Sequence, residues 1–230
     1  MTEQGNNQPE NATYGENSRG RYREQVEQRQ REAEEQLKAE EQDGSGLSSS
    51  FVMDCLQAYE LGDGMLFAAL HKGQFRFAKN KGEWLKWADH YYQWDTMGDA
   101  YRACEAVARR YLEEDEDLDD KAAEAARAKN NNEVSRLNTL RQQLDRRVKK
   151  LRSKNGRINT LFMAHTCDGG LGISGDKLDA NPWLLACANG VIDLRTGELR
   201  EGRRDDYITM ASPVEWDGID AAAKRSEERR

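Results

Sequence analysis

Between Met1 and Ser50 the chain carries no Trp, Phe or Cys, and its larger aliphatic residues there are Val26, Leu37 and Leu47 alone. Such a segment cannot bury enough apolar surface to offset the entropy of ordering it. Any core must therefore be built from residue 51 onward. The expectation is an arm and linker over 1–50, a folded module over 51–216 and a charged tail over 217–230. Within the arm, residues 19–42 are rich in helix formers of mixed charge but lack a sustained apolar stripe, so they read as solvated. GSGLSSS, residues 44–50, supplies a flexible linker and serines suited to capping a helix that follows.

With 230 residues the chain has room for one module and a tail, or two small domains. A formal net charge of −7 excludes a polycation that coats nucleic acid by bulk charge, and leaves room for a local basic surface. No run of 18 apolar residues occurs, and MTEQGNNQPE has neither the basic nor the apolar region of a secretory signal. A cytoplasmic protein without a membrane partner is expected. Cys55, Cys104, Cys167 and Cys187 lie far apart with no C-x-x-C pair, the usage of reduced intracellular thiols. His165, Cys167 and Cys187 fall short of the four ligands of a structural zinc site, so no metal is expected.

The fold class that emerges is α+β, with small antiparallel meanders, helices and a projecting α-hairpin. FVMDCLQAYELGDGMLFAALHKG, from Phe51, reads as two short helices broken at Gly62 and Gly64. Alternating Phe75 and Phe77, an Asn80-Lys81-Gly82 turn, and Trp84, Trp87, Tyr91, Tyr92 and Trp94 predict an antiparallel meander. Residues 97–112 are helical by spacing. After the acidic run 113–120 a helical stretch extends to about His165. In it Val134, Leu137, Leu144, Val148, Leu151, Ile158 and Phe162 form a heptad-like stripe interrupted by Arg141. Asn130 to Asn132 mark the turn of a helical hairpin over about 118–166. Beyond it, Asn189-Gly190 and Thr196-Gly197 punctuate a three-stranded meander followed by one more extended strand.

Several apparent motifs fail on context. GLGISG, residues 170–175, satisfies G-x-G-x-x-G, but a dinucleotide site needs a strand just before it and a helix just after. Here helical residues precede it and DANP follows. Nor do these glycines cradle a triphosphate, because Asp176 stands where a P-loop requires lysine. His71, His90 and His165 have no triad partners. Asp193, Glu198, Asp205 and Asp206 read as turn and strand-end acids rather than a catalytic pair. No catalytic residue is assigned.

One charge signal survives. Arg141, Arg146, Arg147, Lys149, Lys150, Arg152, Lys154 and Arg157 stand against the single acid Asp145. On a helix Arg146, Lys149, Lys150 and Lys154 form a stripe opposite the Leu144, Val148 and Leu151 seam. Such a stripe can track phosphates, with counterion release making affinity fall with salt. It can equally pair with the acidic run 113–120 across the hairpin, and charge alone does not choose.

Two stretches resemble the module that precedes the helicase domain in phage and plasmid primase-helicases and in poxvirus-type helicase-primases. In residues 62–95 the pattern is a short helix, an aromatic-alternating strand and spaced tryptophans ending in WD, matched by Gly73, Phe75, Phe77, Trp84, Trp87, Trp94 and Asp95. In residues 178–216 it is matched by Asp179, Pro182, Leu184, Asn189, Gly190, Asp193, Leu194, Thr196, Gly197, Leu199, Asp206, Ile208 and Thr209. The resemblance covers about 51–216. These positions are turns and core aromatics, and they identify the module without naming an active site. Trp84, Trp87 and Trp94 suit base stacking in principle, but at this density they read as core.

In that family a superfamily-III helicase follows, often with a primase or zinc-binding region in front. Neither is seen in this sequence, so the resemblance implies that ATP and Mg²⁺ belong to the helicase domain and that this chain alone does not unwind DNA. It implies a DNA replication module that binds single-stranded or forked DNA and assembles with a helicase subunit or with itself. The alternative is an interaction or regulatory module that co-assembles with a separate helicase and does not touch DNA.

Overall fold

The computed structural model describes residues 47–219, so the expectations for the arm and for most of the charged tail lie outside the described residues. Ser48 does cap the first helix, its hydroxyl accepting from the Phe51 amide at 3.2 Å. Helix α1 runs Ser49–Gln57 and α2 runs Tyr59–Leu70. The break between them falls at Ala58 and Tyr59, where Tyr59 takes a φ of 55°, and not at the glycines. Gly62 and Gly64 lie inside α2 for a steric reason. A Cβ on Gly62 would stand 1.8 Å from the Cys55 carbonyl oxygen, and one on Gly64 2.4 Å from the Met163 Cβ. Glycine there permits close approach of backbones, a use that overrides its cost within a helix.

The meander forms as expected. Strands β1 (Phe75–Ala78), β2 (Glu83–Ala88) and β3 (Tyr91–Trp94) pair antiparallel, with Phe77 opposite Trp84 and Leu85 opposite Trp94. Period-two alternation gives the sheet two buried faces. Phe75 and Trp84 join the helical core, while Ala78, Leu85 and Tyr92 pack with Trp87, Trp94, Leu178 and Tyr207 on the other side.

Helix α3 spans Asp99–Arg127 and absorbs the whole acidic run, so the hairpin arm begins well before residue 118. Asp95 starts it, accepting from the amides of Asp99 and Ala100 at 2.7 and 2.8 Å. Asn130 then caps α4 (Asn131–Leu151) by accepting from the Glu133 amide. The seam holds as far as Leu137, Leu144, Val148 and Leu151, all buried and continuous with the main core. It stops there because Ser153 caps a new helix, α5 (Lys154–Thr166), accepting from the Gly156 amide at 3.0 Å. The change of direction resets the helical phase, and Ile158 and Phe162, expected on the seam, are 46% and 56% exposed.

After α5 the short strand β4 (Gly172–Ile173) lies inside the GLGISG segment and pairs parallel to β1. A strand within the glycines, followed by a three-residue 3₁₀ turn (Gly175–Lys177), lacks the strand-then-helix order that a dinucleotide needs. The last meander is β5 (Leu184–Cys187), β6 (Gly190–Asp193) and β7 (Glu198–Arg200), in that spatial order. The extended segment that follows ties the two sheets together. The Ile208 carbonyl accepts from the Tyr92 amide at 2.8 Å, and Ala211 bridges to Ala186.

Candidate nucleic-acid interface

The eight cations of residues 141–157 divide by what each one meets. Arg147 is buried at 7% exposure, and its guanidinium grips the equally buried Asp63 of α2 with two of its nitrogens, Nε donating to Oδ1 at 2.8 Å and Nη2 to Oδ2. The Tyr111 hydroxyl donates to the same carboxylate at 3.2 Å. Arg147 is therefore a core ion pair that leaves no face for a phosphate, which corrects its place among the DNA-facing residues. Burial pushes the Asp63 carboxyl up to about 6, against the pull of the Arg147 guanidinium.

Arg141 turns toward the acidic run, pairing with Asp115 at 3.1 Å and with Asp119. Arg152 and Arg157 share Glu105 of α3, at 2.7 and 3.1 Å. Lys150 reaches Glu60 of α2 at 2.6 Å, and that hydrogen bond, with one from Asn159, holds the Glu60 carboxyl below its ordinary range. Lys149 pairs with Asp145 one turn away at 2.6 Å. Among the described residues Arg146 and Lys154 have no ion pair. Six of the eight cations thus fasten the hairpin to the rest of the module or to itself.

These contacts are unequal in strength. Lys149 and Lys150 are 74% and 54% exposed, and pairs so placed contribute little because water and salt screen them. Their ammonium groups can exchange a carboxylate for a phosphate at small cost. The surface open to an anion is accordingly Arg146, Lys149 and Lys150 on α4, with Lys154 across the break on α5. The acidic run is itself divided. Asp115 and Asp119 face Arg141, whereas Glu114 is fully buried, accepting from the Ser49 hydroxyl near the start of α1 with Arg110 at 3.4 Å.

The family-pattern residues are occupied by structure. Trp84 lies edge-on to Phe77 at 5.2 Å, Trp87 edge-on to Tyr92 at 5.0 Å, and Lys81 sits 4.2 Å above the Trp94 ring. Asp95 caps α3. The Asn189 amide closes both hydrogen bonds with the backbone of Trp216, each at 3.0 Å. Asp193 holds the Arg195 guanidinium and backbone amide in the β6–β7 turn, and those bonds draw its carboxyl down to about 2. The Gly197 amide returns to the Asp193 carbonyl at 2.7 Å with a φ of 74°, a conformation that favours glycine. Gly190, with φ 152°, lies so close to the Arg200 carbonyl that a Cβ would stand 2.6 Å away. Pro182 opens the turn into β5, where the Trp183 amide donates to Asn181.

Cys55 and Cys104 are core thiols. Burial pushes the Cys55 thiol up to about 11 and the Cys104 thiol up to about 12, far from thiolate chemistry. Among the described residues no group of three His, Cys, Asp or Glu side chains is placed to hold a metal ion, and no helix is long and apolar enough to cross a membrane. One organising residue lay beyond sequence reasoning, since Asp63 meets Arg147 from 84 positions away. Asp179 and Thr209, both of the family pattern, meet across 30 positions, the Thr209 amide donating to the Asp179 carboxylate at 2.7 Å.

Comparisons with known proteins identify the family. The family described as D5 N terminal like matches residues 64–228, well over half of the chain. A protein of Frog virus 3 (isolate Goorha), named "Putative helicase 022R", is 45% identical over 42 residues, covering 18% of this chain and 4% of that protein. The chain therefore spans only a small part of the relative it matches. No solved structure matches it. The chain belongs to the D5 N terminal like family, the module at the amino-terminal side of primase-helicases.

Proposed function

We propose that this module serves a mobile-element replication protein by assembling with a superfamily-III ATPase and placing single-stranded or forked DNA at it. Family membership carries the reading. An exposed basic surface supports it: among the described residues Arg146 and Lys154 have no ion pair, and Lys149 and Lys150 are each held by one exposed lysine–carboxylate pair, whereas Arg152, 47% exposed, donates two hydrogen bonds to Glu105. ATP and Mg²⁺ belong to the motor in this reading. Changing all four residues to Glu should lower affinity for a fluorescein-labelled 20-mer at least tenfold at low salt while the circular dichroism spectrum is unchanged. Equal binding by that variant removes the surface.

A second reading has its own support. Because six of the eight cations hold the hairpin in place, the module also suits assembly with a helicase without DNA contact. In that case the module co-elutes with a superfamily-III ATPase in light-scattering chromatography and shows no anisotropy change with DNA.

A further inference from the structure

The break at residues 152–153 turns α5 so that one of its faces has no partner among the described residues. Lys154, Ile158 and Phe162 recur at i, i+4 and i+8, about 12 Å along the helix. Ile158 and Phe162 are 46% and 56% exposed, one turn apart. Phe162 is also the outer member of a row of rings. It lies edge-on to His165 at 5.4 Å, His165 stacks flat on Phe77 at 3.8 Å and 7°, and Phe77 meets Trp84 at 5.2 Å. Burial holds the His165 imidazole below its ordinary range, which favours the neutral ring.

Cations stand at the two ends of the face that runs from Lys154 to His165. Lys154 begins the helix, and Lys79, just past β1, lays its aliphatic end within 2.5 Å of the point that a Cβ on Gly172 would occupy, beside His165. Neither lysine has an ion pair among the described residues. Along the chain Asp168 is the acid nearest to His165, Glu83 stands four positions from Lys79, and Asp145 stands nine positions before Lys154.

We infer that the α5 face of Lys154, Ile158, Phe162 and His165, with Lys79, is a stacking site for single-stranded nucleic acid, separate from the α4 cations. Exposed rings accept the face of any base, and flanking lysines meet the phosphates on either side. A protein partner's apolar ridge would fill the same face without needing lysines at its two ends. Duplex DNA offers no unstacked base to Phe162, so the face selects single strands. The inference rests on the DNA-contact reading and gives that contact a second component, in which base stacking adds to charge.

The test is anisotropy titration of the full chain with labelled oligo-dT 20-mer and with duplex of the same length. Phe162→Ala should weaken dT binding roughly 5- to 100-fold, leave duplex binding unchanged, and be rescued by Phe162→Trp. Lys79→Gln and Lys154→Gln should each make the salt dependence shallower by about 0.7 in log–log slope. Unchanged dT binding by Phe162→Ala overturns the inference, as does equal recovery by Phe162→Leu, which would signal greasy contact rather than stacking. Phe162→Ala that loses co-elution with the ATPase but keeps DNA affinity overturns it in favour of a protein partner. If the α4 charge reversals weaken binding and Phe162→Ala does not, this inference falls and the DNA-contact reading stands. If wild type binds no DNA, both fall.

Discussion

The longest ion pairs of the helical hairpin reach much further along the chain than the ion pairs of the described C-terminal meander. In the hairpin, Arg147 meets Asp63 from 84 positions away, Arg152 meets Glu105 from 47 and Arg141 meets Asp115 from 26. In the meander, Asp193 engages Arg195 two positions on, and Arg200 engages Asp206 six positions on. The first kind of contact orders one element against another, dry at Arg147 and wet at Arg152. The second shapes a turn, in water at Arg195 and half-buried at Arg200. A charged run on a long helix therefore reports poorly on what it binds, whereas a polar residue in a tight turn reports well on what it does.

The sharpest way to break that contrast is to unpair the buried group. Asp63→Leu leaves Arg147 charged and dry, and should cost about 3–5 kcal/mol in urea unfolding. Adding Arg147→Met should recover most of the loss, because a well-packed apolar pair substitutes for a buried ion pair. A full loss in the double variant would mean that the contact does more than hold α4 against α2. The same carboxyl sets a pH dependence. Its folded value of about 6 lies above the ordinary 3.8, so the folded state binds that proton more tightly. The stability it contributes is full below about pH 4 and is lost as pH rises through 6. Unfolding midpoints should decline over that window, and Asp63→Asn should remove this component of the slope.

Steric and capping changes come next in size. Gly64→Ala drives a methyl into Met163 where α2 meets α5, and should cost about 1–3 kcal/mol. A neutral result would show that the two helices separate easily. Asp95→Ala removes both acceptors at the start of α3 and should cost about 1 kcal/mol, read as a drop in melting temperature. Asp193→Ala, an exposed turn contact, should move melting least of all.

The same division explains what could be read in the chain. The meanders were legible because Asn80-Lys81-Gly82, Asn189-Gly190 and Thr196-Gly197 carry their turn chemistry locally. Asn130 announced the hairpin turn for the same reason. Gly62 and Gly64 misled because glycine serves both as a helix breaker and as a site of close approach, and only the position of Met163 and Cys55 decides which. The end of the seam at Leu151 was hidden, since the apolar spacing runs on through Ile158 and Phe162 while Ser153 restarts the helix. For the candidate site, the charge was visible and its occupation was not. Nothing near Arg147 in sequence marks it as buried, and nothing near Arg146 marks it as unpaired.

The salt dependence of single-strand binding tests this account most directly. If all eight cations of residues 141–157 reached phosphates, the log–log slope for oligo-dT would be about −6. With Arg141, Arg147, Arg152 and Arg157 held by the protein, Arg146, Lys149, Lys150 and Lys154 remain, and the slope should be about −3. Lys79 adds less than one unit to that figure. A slope near −3 that collapses on reversal of those four residues supports the account. A slope near −6, or one that survives their reversal, contradicts it.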